Sequence, residues 1–236
     1  MTQAPEDRDL GRRRLEAAIA SKGTSADVIH AMVLRLVEAE GLGGELLEFG
    51  AGTGALIRTL VRRGRFTRIT GADILGRPEG LDPAISWIGM DLNDPLPLPG
   101  ASFDTILSTE VIEHLENPRA VFREWFRLLR PGGTLVMTTP NQESVRSLCA
   151  LLAGGHFASF LGMSYPAHIT ALLRLDITRI CRETGFADPR FAYTDHGGLP
   201  KRPNTSWQSL SFNRLRGRLF SDNIGAVVRR PGPARG

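Results

Sequence analysis

With 236 residues the chain can bury a large core and form one α/β domain with decorations. Its net charge is +4 and its pI near 9.7, yet the arginines are scattered and lack interleaved aromatics, which favours solvated faces and argues against a nucleic-acid partner. Cys149 and Cys181 lie far apart and read as buried thiols rather than a disulfide or metal-thiolate framework, and no apolar run reaches membrane-spanning length.

The first residues are polar and acidic where a secretory leader would be basic and then apolar, so a reduced, cytoplasmic chain is expected. Residues 8–22 form an Arg-rich helical pattern. Thr24 or Ser25 should then cap a second helix with Val28, Ile29, Met32, Val33, Leu36 and Val37 on one face and Gly41 as its stop. Residues 45–58 read as strand, tight turn and helix. Leu46, Leu47 and Phe49 suit a strand, Gly50, Gly52 and Gly54 fall in the turn, and Leu56, Ile57, Leu60 and Val61 recur at helical intervals. Glycines there permit positive φ and close approach of a ligand to the backbone, and the helix that follows offers free N–H groups.

Residues 68–73 and 85–90 read as strands, each followed or closed by a carboxylate, Asp73 and Asp91. The order G-x-G-x-G after Glu48, with those two later acids, resembles the class I S-adenosylmethionine-dependent methyltransferases. The resemblance implies a Rossmann-like seven-stranded α/β sheet of order 3-2-1-4-5-7-6, the last strand antiparallel, with helices on both faces and an acceptor-side lid. It also implies that S-adenosylmethionine is held by Glu48, Gly50, Ala51, Gly52 and Gly54 at its methionine end and by Asp73 and Ile74 at the ribose. Asp91 and Leu92 would meet the adenine, with Ser108 and Thr109 beside them.

Residues 92–100 are a proline-rich loop, and residues 103–118 end a strand and start a helix. Strand ends in an open parallel sheet face the ligand crevice, and in a helical turn Glu110 would share a face with Glu113 and His114. Two carboxylates and an imidazole there make a hard-metal site, for which Mg²⁺ suits the oxygens. The segment resembles the E-x-x-E-H-x-x-x-P motif of ubiquinone-biosynthesis O-methyltransferases. It is also similar to the E-V-I-E-H of small-RNA 3′-terminal 2′-O-methyltransferases, where a later histidine joins the metal and His168 matches that place loosely. The resemblance thus implies a metal at Glu110, Glu113 and His114, and catalytic roles for His114, Glu110 and His168.

Asn117-Pro118 should open a helix with Val121, Phe122, Trp125, Phe126 and Leu129 as its apolar stripe, and residues 134–139 the fifth strand. Residues 141–170 form a long insertion at the lid position, where Phe157, Phe160 and Tyr165 could wall a pocket and His156 or His168 could take a proton. Within it residues 147–160 approach an interfacial apolar run. Residues 169–184 return to helical spacing, 190–194 and 223–228 are the last strands, and Trp207 in the excursion between them belongs under the loop. The organisation is a helical extension at 1–41, a methyltransferase domain at 42–230 with insertions at 141–170 and 196–221, and a disordered tail at 231–236.

Three functional readings follow. The leading one is methyl transfer to a hydroxyl of a small molecule such as a quinone precursor, a sugar or a secondary metabolite, since a hydroxyl gains from a base or metal that an amine needs less. The second is a metal-dependent RNA 3′-terminal 2′-O-methyltransferase, and the third a non-catalytic cofactor-binding subunit. Acceptor identity and oligomeric state are left open by the sequence.

Overall fold

The computed structural model describes residues 15, 16, 19, 25–161 and 167–233. Its elements in chain order begin with α1 (Asp27–Ala39), β1 (Gly44–Phe49), α2 (Ala55–Arg63), β2 (Phe66–Asp73), β3 (Ser86–Gly89) and β4 (Phe103–Thr109). After a 3₁₀ turn at Ile112–His114 come α3 (Pro118–Leu128), β5 (Leu129–Pro140), α4 (Val145–Gly154) and α5 (Arg174–Thr184). The chain ends with β6 (Arg190–Tyr193), β7 (Gly198–Leu199), β8 (Arg202–Ser206), a short α6 (Trp207–Leu210) and β9 (Asn223–Arg229).

Seven strands form one sheet in the order β3-β2-β1-β4-β5-β9-β6, with β9 antiparallel to both of its neighbours and the other pairs parallel. With β9 counted as the seventh strand of that sheet, this is the arrangement expected from the sequence. The extra strands β7 and β8 form a separate hairpin inside the 196–221 insertion.

Alternation along β1 sets the two layers. Leu46 joins Met32, Val33, Leu36 and Val37 of α1 and Leu56, Ile57 and Leu60 of α2 on one face, while Leu47 and Phe49 meet α3 on the other. There Trp125 and Phe122 have no exposure, and Phe49 stacks edge-on against Trp125 at 5.6 Å. Parallel register levels the strand ends, pairing Glu48 with Gly71 on one side and Leu107 on the other, so the carboxyl tips of β1, β2 and β4 form one rim. At the β2–β3 edge a Cβ on Gly71 would lie 2.7 Å from the Trp87 ring, and Trp87 Nε1 donates to Leu75 O at 3.3 Å.

Several local expectations need correction. The residue at the start of α1 is Ala26, without a side-chain cap bond, so Ser25 does not cap it, while Thr24 and most of the 8–22 pattern lie outside the described residues. Val61 is exposed, because α2 needs only Leu56, Ile57 and Leu60 to cover the sheet. Leu128, not Leu129, closes the α3 stripe, since Leu129 already belongs to β5. Helix α5 begins at Arg174, where Asp176 Oδ2 accepts from Leu173 N at 3.0 Å. Cys149 is exposed on α4, whereas Cys181 is buried and its thiol is pushed up to about 12 by burial. Among the described residues no helix is long and apolar enough to cross a membrane.

Candidate functional site

The glycine turn between β1 and α2 places Gly50, Gly52 and Gly54 at φ 85, 49 and 71. This backbone bends sharply without a side chain over it, and at Gly50 a Cβ would collide with Val111. Asp73, at the tip of β2, closes the turn by accepting from Gly52 N at 2.7 Å and Leu75 N at 2.8 Å. Burial raises its pKa nonetheless, and the two hydrogen bonds oppose that shift. Glu48 beside it is pushed well above the carboxylate range, first by burial and then by the Asp73 charge. A cleft opens here, lined by Glu48, Gly50, Ala51, Thr53 and Thr109, with Ser25 from the segment before α1 and His30 from α1 at its edge.

The buried oxygens Glu48 Oε2, Ser108 Oγ and Thr109 Oγ1 have no hydrogen-bond partner among the described residues. Orphaned polar atoms at the carboxyl rim of a parallel sheet call for a polar ligand. They fit the amine and hydroxyls of an amino-acid nucleoside. Asp91 Oδ1 accepts from Asn93 N at 2.9 Å and Nδ2 at 2.8 Å beyond β3, and Leu92 beside it is buried.

Across the rim the chain leaves β4 through Glu110, at φ 54. That left-handed step prevents the regular helical turn expected from the sequence. Glu110 Oε1 accepts from Thr138 Oγ1 at 2.8 Å and Oε2 from Asn223 Nδ2 at 2.7 Å, so its carboxylate is held by β5 and β9. Its pKa rises to about 7, because burial outweighs those two donors. Glu113 is fully buried and held well above the ordinary range, by burial and then by Glu110. Thr139 Oγ1 donates to its Oε2 at 3.2 Å, and its Oε1 is left without a partner among the described residues.

The 3₁₀ turn presents His114 beside Glu113, and the returning lid brings in His168. Glu113 O accepts from Ile169 N at 2.9 Å and Thr170 N at 3.0 Å, and Thr170 Oγ1 donates to Leu115 O at 2.6 Å, which pins the lid to the turn. The two imidazoles stand 4.8 Å apart. His114 Nδ1 is 2.8 Å from Ala167 O and His168 Nδ1 is 2.7 Å from Ser159 O. A carbonyl can only accept, so each ring carries its proton on Nδ1 and leaves Nε2 bare. Burial keeps both rings neutral, lowering His114 to about 4 and His168 in the same direction. One ligand atom from each of Glu113, His114 and His168 falls within 4.8 Å of the others.

Of the anticipated metal residues the structure therefore brings Glu113 and His114 together with His168, and places Glu110 outside the group. Phe160 packs on His168 at 5.5 Å, whereas His156 turns to Phe157 O, and Tyr165 lies outside the described residues. Trp207 stacks on Phe220 at 5.5 Å in a satellite cluster under its own loop. Thr138, Thr139 and Asn223, which hold the two glutamates, were not anticipated as site residues in the sequence, nor was His30, and Ser25 was read only as a helix cap. Only the register of β5 with β9, Pro140 opposite Asn223, would have flagged the asparagine.

Sheet order, glycine turn and rim acids define a Rossmann-like methyltransferase fold. A solved S-adenosylmethionine-dependent methyltransferase from Archaeoglobus fulgidus matches with TM-score 0.63 at 16% identity, over 89% of this chain and 96% of that one. The 1,6-didemethyltoxoflavin-N1-methyltransferase of Burkholderia thailandensis, solved with 1,6-didemethyltoxoflavin and S-adenosylhomocysteine, matches with TM-score 0.62 at 14% identity, over 98% and 92%. The ubiquinone biosynthesis O-methyltransferase of Xanthomonas oryzae pv. oryzae (strain PXO99A) is 28% identical over 148 residues, 56% of this chain and 61% of that protein. The chain thus spans about three fifths of the length of that curated relative. A family model described as a methyltransferase domain matches residues 18–188, and the chain belongs to that family.

Proposed function

We propose that the chain moves a methyl group from S-adenosylmethionine to a hydroxyl of a small molecule that carries a neighbouring hydroxyl, assisted by a divalent cation at Glu113, His114 and His168. The observation that carries this reading is the pair of bare Nε2 atoms beside the orphaned Glu113 Oε1. Imidazoles that donate their other N–H to a backbone carbonyl are held in the ligand tautomer, and being neutral they have no proton to displace. Two nitrogens and one carboxylate suit Mn²⁺, Fe²⁺ or Zn²⁺ better than Mg²⁺, which prefers an all-oxygen shell. A bound cation would lower the pKa of a hydroxyl laid against it.

The cofactor supplies a methyl already activated on sulfur, so the residues have to hold, align and exclude water. Asp73 and Glu48 would take the ribose and the amine, with Gly50, Ala51, Gly52 and Gly54 giving backbone access and Ile74, Asp91 and Leu92 framing the base. Ser108 and Thr109 lie between the two halves of the rim, where methyl and acceptor must meet. Glu110 holds Thr138 and Asn223 in place and is poised to accept a proton near neutrality.

His168 in the group equally suits the vicinal hydroxyls of an RNA 3′ end. The name of the curated relative and the lack of a stacking strip favour the small molecule. The test is methyl transfer into catechol-type small molecules and into RNA oligomers, after chelation and with Mg²⁺, Mn²⁺ or Zn²⁺ restored. Return of small-molecule methylation with Mn²⁺ or Zn²⁺ is expected. Full activity in chelator would remove the cation from the reading, and transfer into RNA alone would replace the acceptor.

A further inference from the structure

Residues 147–161 and the 196–221 excursion share a surface property that methyl transfer does not use. Residues 147–173 contain no Asp, Glu, Lys or Arg. Within that stretch α4 turns Leu148, Leu151 and Leu152 to solvent at helical spacing, and Leu152 is 88% exposed. A surface helix ordinarily hides its apolar side, and this one displays it.

The turn Arg218–Phe220 packs against α4. Its Arg218 carbonyl accepts from Asn141 Nδ2 at 2.7 Å, and Gln208 Nε2 donates to Leu215 O at 2.8 Å and Phe220 O at 2.9 Å. The first bond fastens the excursion to the root of α4, and the other two tie its own turns together. Between residues 197 and 221 the sequence carries Lys201, Arg202, Arg214, Arg216 and Arg218 and no carboxylate. Next to Arg214, Phe212 is 89% exposed and sits at φ 49. A left-handed backbone is costly for a bulky side chain, and the phenyl ring recovers little of that cost by burial in the fold.

We propose that this face docks on an anionic lipid surface, with the α4 leucines and Phe212 entering the headgroup boundary and Lys201, Arg202, Arg214 and Arg216 meeting lipid phosphates. Leucine and phenylalanine beside Lys and Arg is the chemistry of interfacial binding, and since Glu143 pairs with Arg218 at 3.6 Å, the other four cations are the ones that meet the lipid. Nucleic acid would make no use of the leucines and would find one exposed ring to stack on. A second copy of the chain would set the same cations against each other. The docking surface stands independently of which acceptor is methylated.

The experiment is co-sedimentation of the full chain with phosphatidylcholine vesicles, with and without phosphatidylglycerol. Binding to the anionic vesicles alone, reversed by salt, is expected. Arg214→Gln and Arg216→Gln should each weaken partition roughly fivefold, and Leu152→Gln with Phe212→Ser should abolish it, while the thermal unfolding midpoint of each variant stays that of the native chain. No binding to anionic vesicles, or binding equal in native and variant chains, overturns the proposal. So does displacement from the vesicles by a short single-stranded RNA, or a dimer in solution that Leu152→Gln dissolves.

Discussion

The two halves of the sheet's carboxyl rim are assembled by different means. On the β1–β3 half the groups come from strand tips and the loops that follow them, and the links are short, 21 residues from Gly52 to Asp73 and 22 from Gly50 to Ala72. On the β4–β5–β9 half the links run much farther, 53 residues from His114 to Ala167 and 113 from Glu110 to Asn223. The first half is a local device repeated at neighbouring strand ends. The second exists only once the lid has folded back and β9 has paired with β5, so substitutions there need not disturb the glycine turn.

That contrast can be broken by substitutions confined to one half. The largest effect is expected at Glu113→Ala or His168→Ala, where turnover should fall about 10²- to 10⁴-fold. Calorimetric affinity for S-adenosylhomocysteine should stay at the native value in both, and joint loss of binding would show that the halves are not separable. Asp73→Ala should do the reverse, weakening nucleoside affinity about 100-fold through two lost charge-assisted contacts. Turnover at saturating cofactor should then survive.

Gly50→Ala strikes the seam, since the new Cβ meets Val111 at a residue whose φ is 85. A cost of about 2–4 kcal/mol follows from strain and overpacking, lowering the thermal midpoint by about 10 °C. A midpoint equal to the native one would mean that Val111 yields freely and the seam is soft. The smallest effect is in the pH profile of stability. Because the folded Glu110 holds its proton up to about 7 against an ordinary 4.5, the folded state binds more protons within that window. Its contribution is therefore complete below about 4.5 and lost as the pH rises through 7. Glu110→Gln should remove that component of the slope, and identical slopes in the two proteins would show that Glu110 ionises as an ordinary surface carboxylate.

The same division explains what could be read in advance. The glycine turn and the acids at 48, 73 and 91 follow from patterns only a few residues long, which a chain displays openly, and the strand order came with the family that those patterns resemble. Glu110 was misplaced because spacing alone assigns it to a helical face, and nothing local reveals the left-handed step or the donors Thr138 and Asn223 that fix its carboxylate. His168 could be aligned by motif but not positioned, since its place depends on Glu113 O anchoring residues 169 and 170. Cys149 was taken as buried because helical spacing does not say which side of α4 meets the core.

The indole of Trp87 lies over Gly71 and donates to Leu75 O, two residues beyond Asp73. Trp125, by contrast, is sealed between α3 and the sheet, and Trp207 sits in the 196–221 insertion. The molecule therefore carries its own optical gauge beside Asp73: intrinsic emission, assigned by comparison with Trp87→Phe, should track filling of that loop in real time with no label attached.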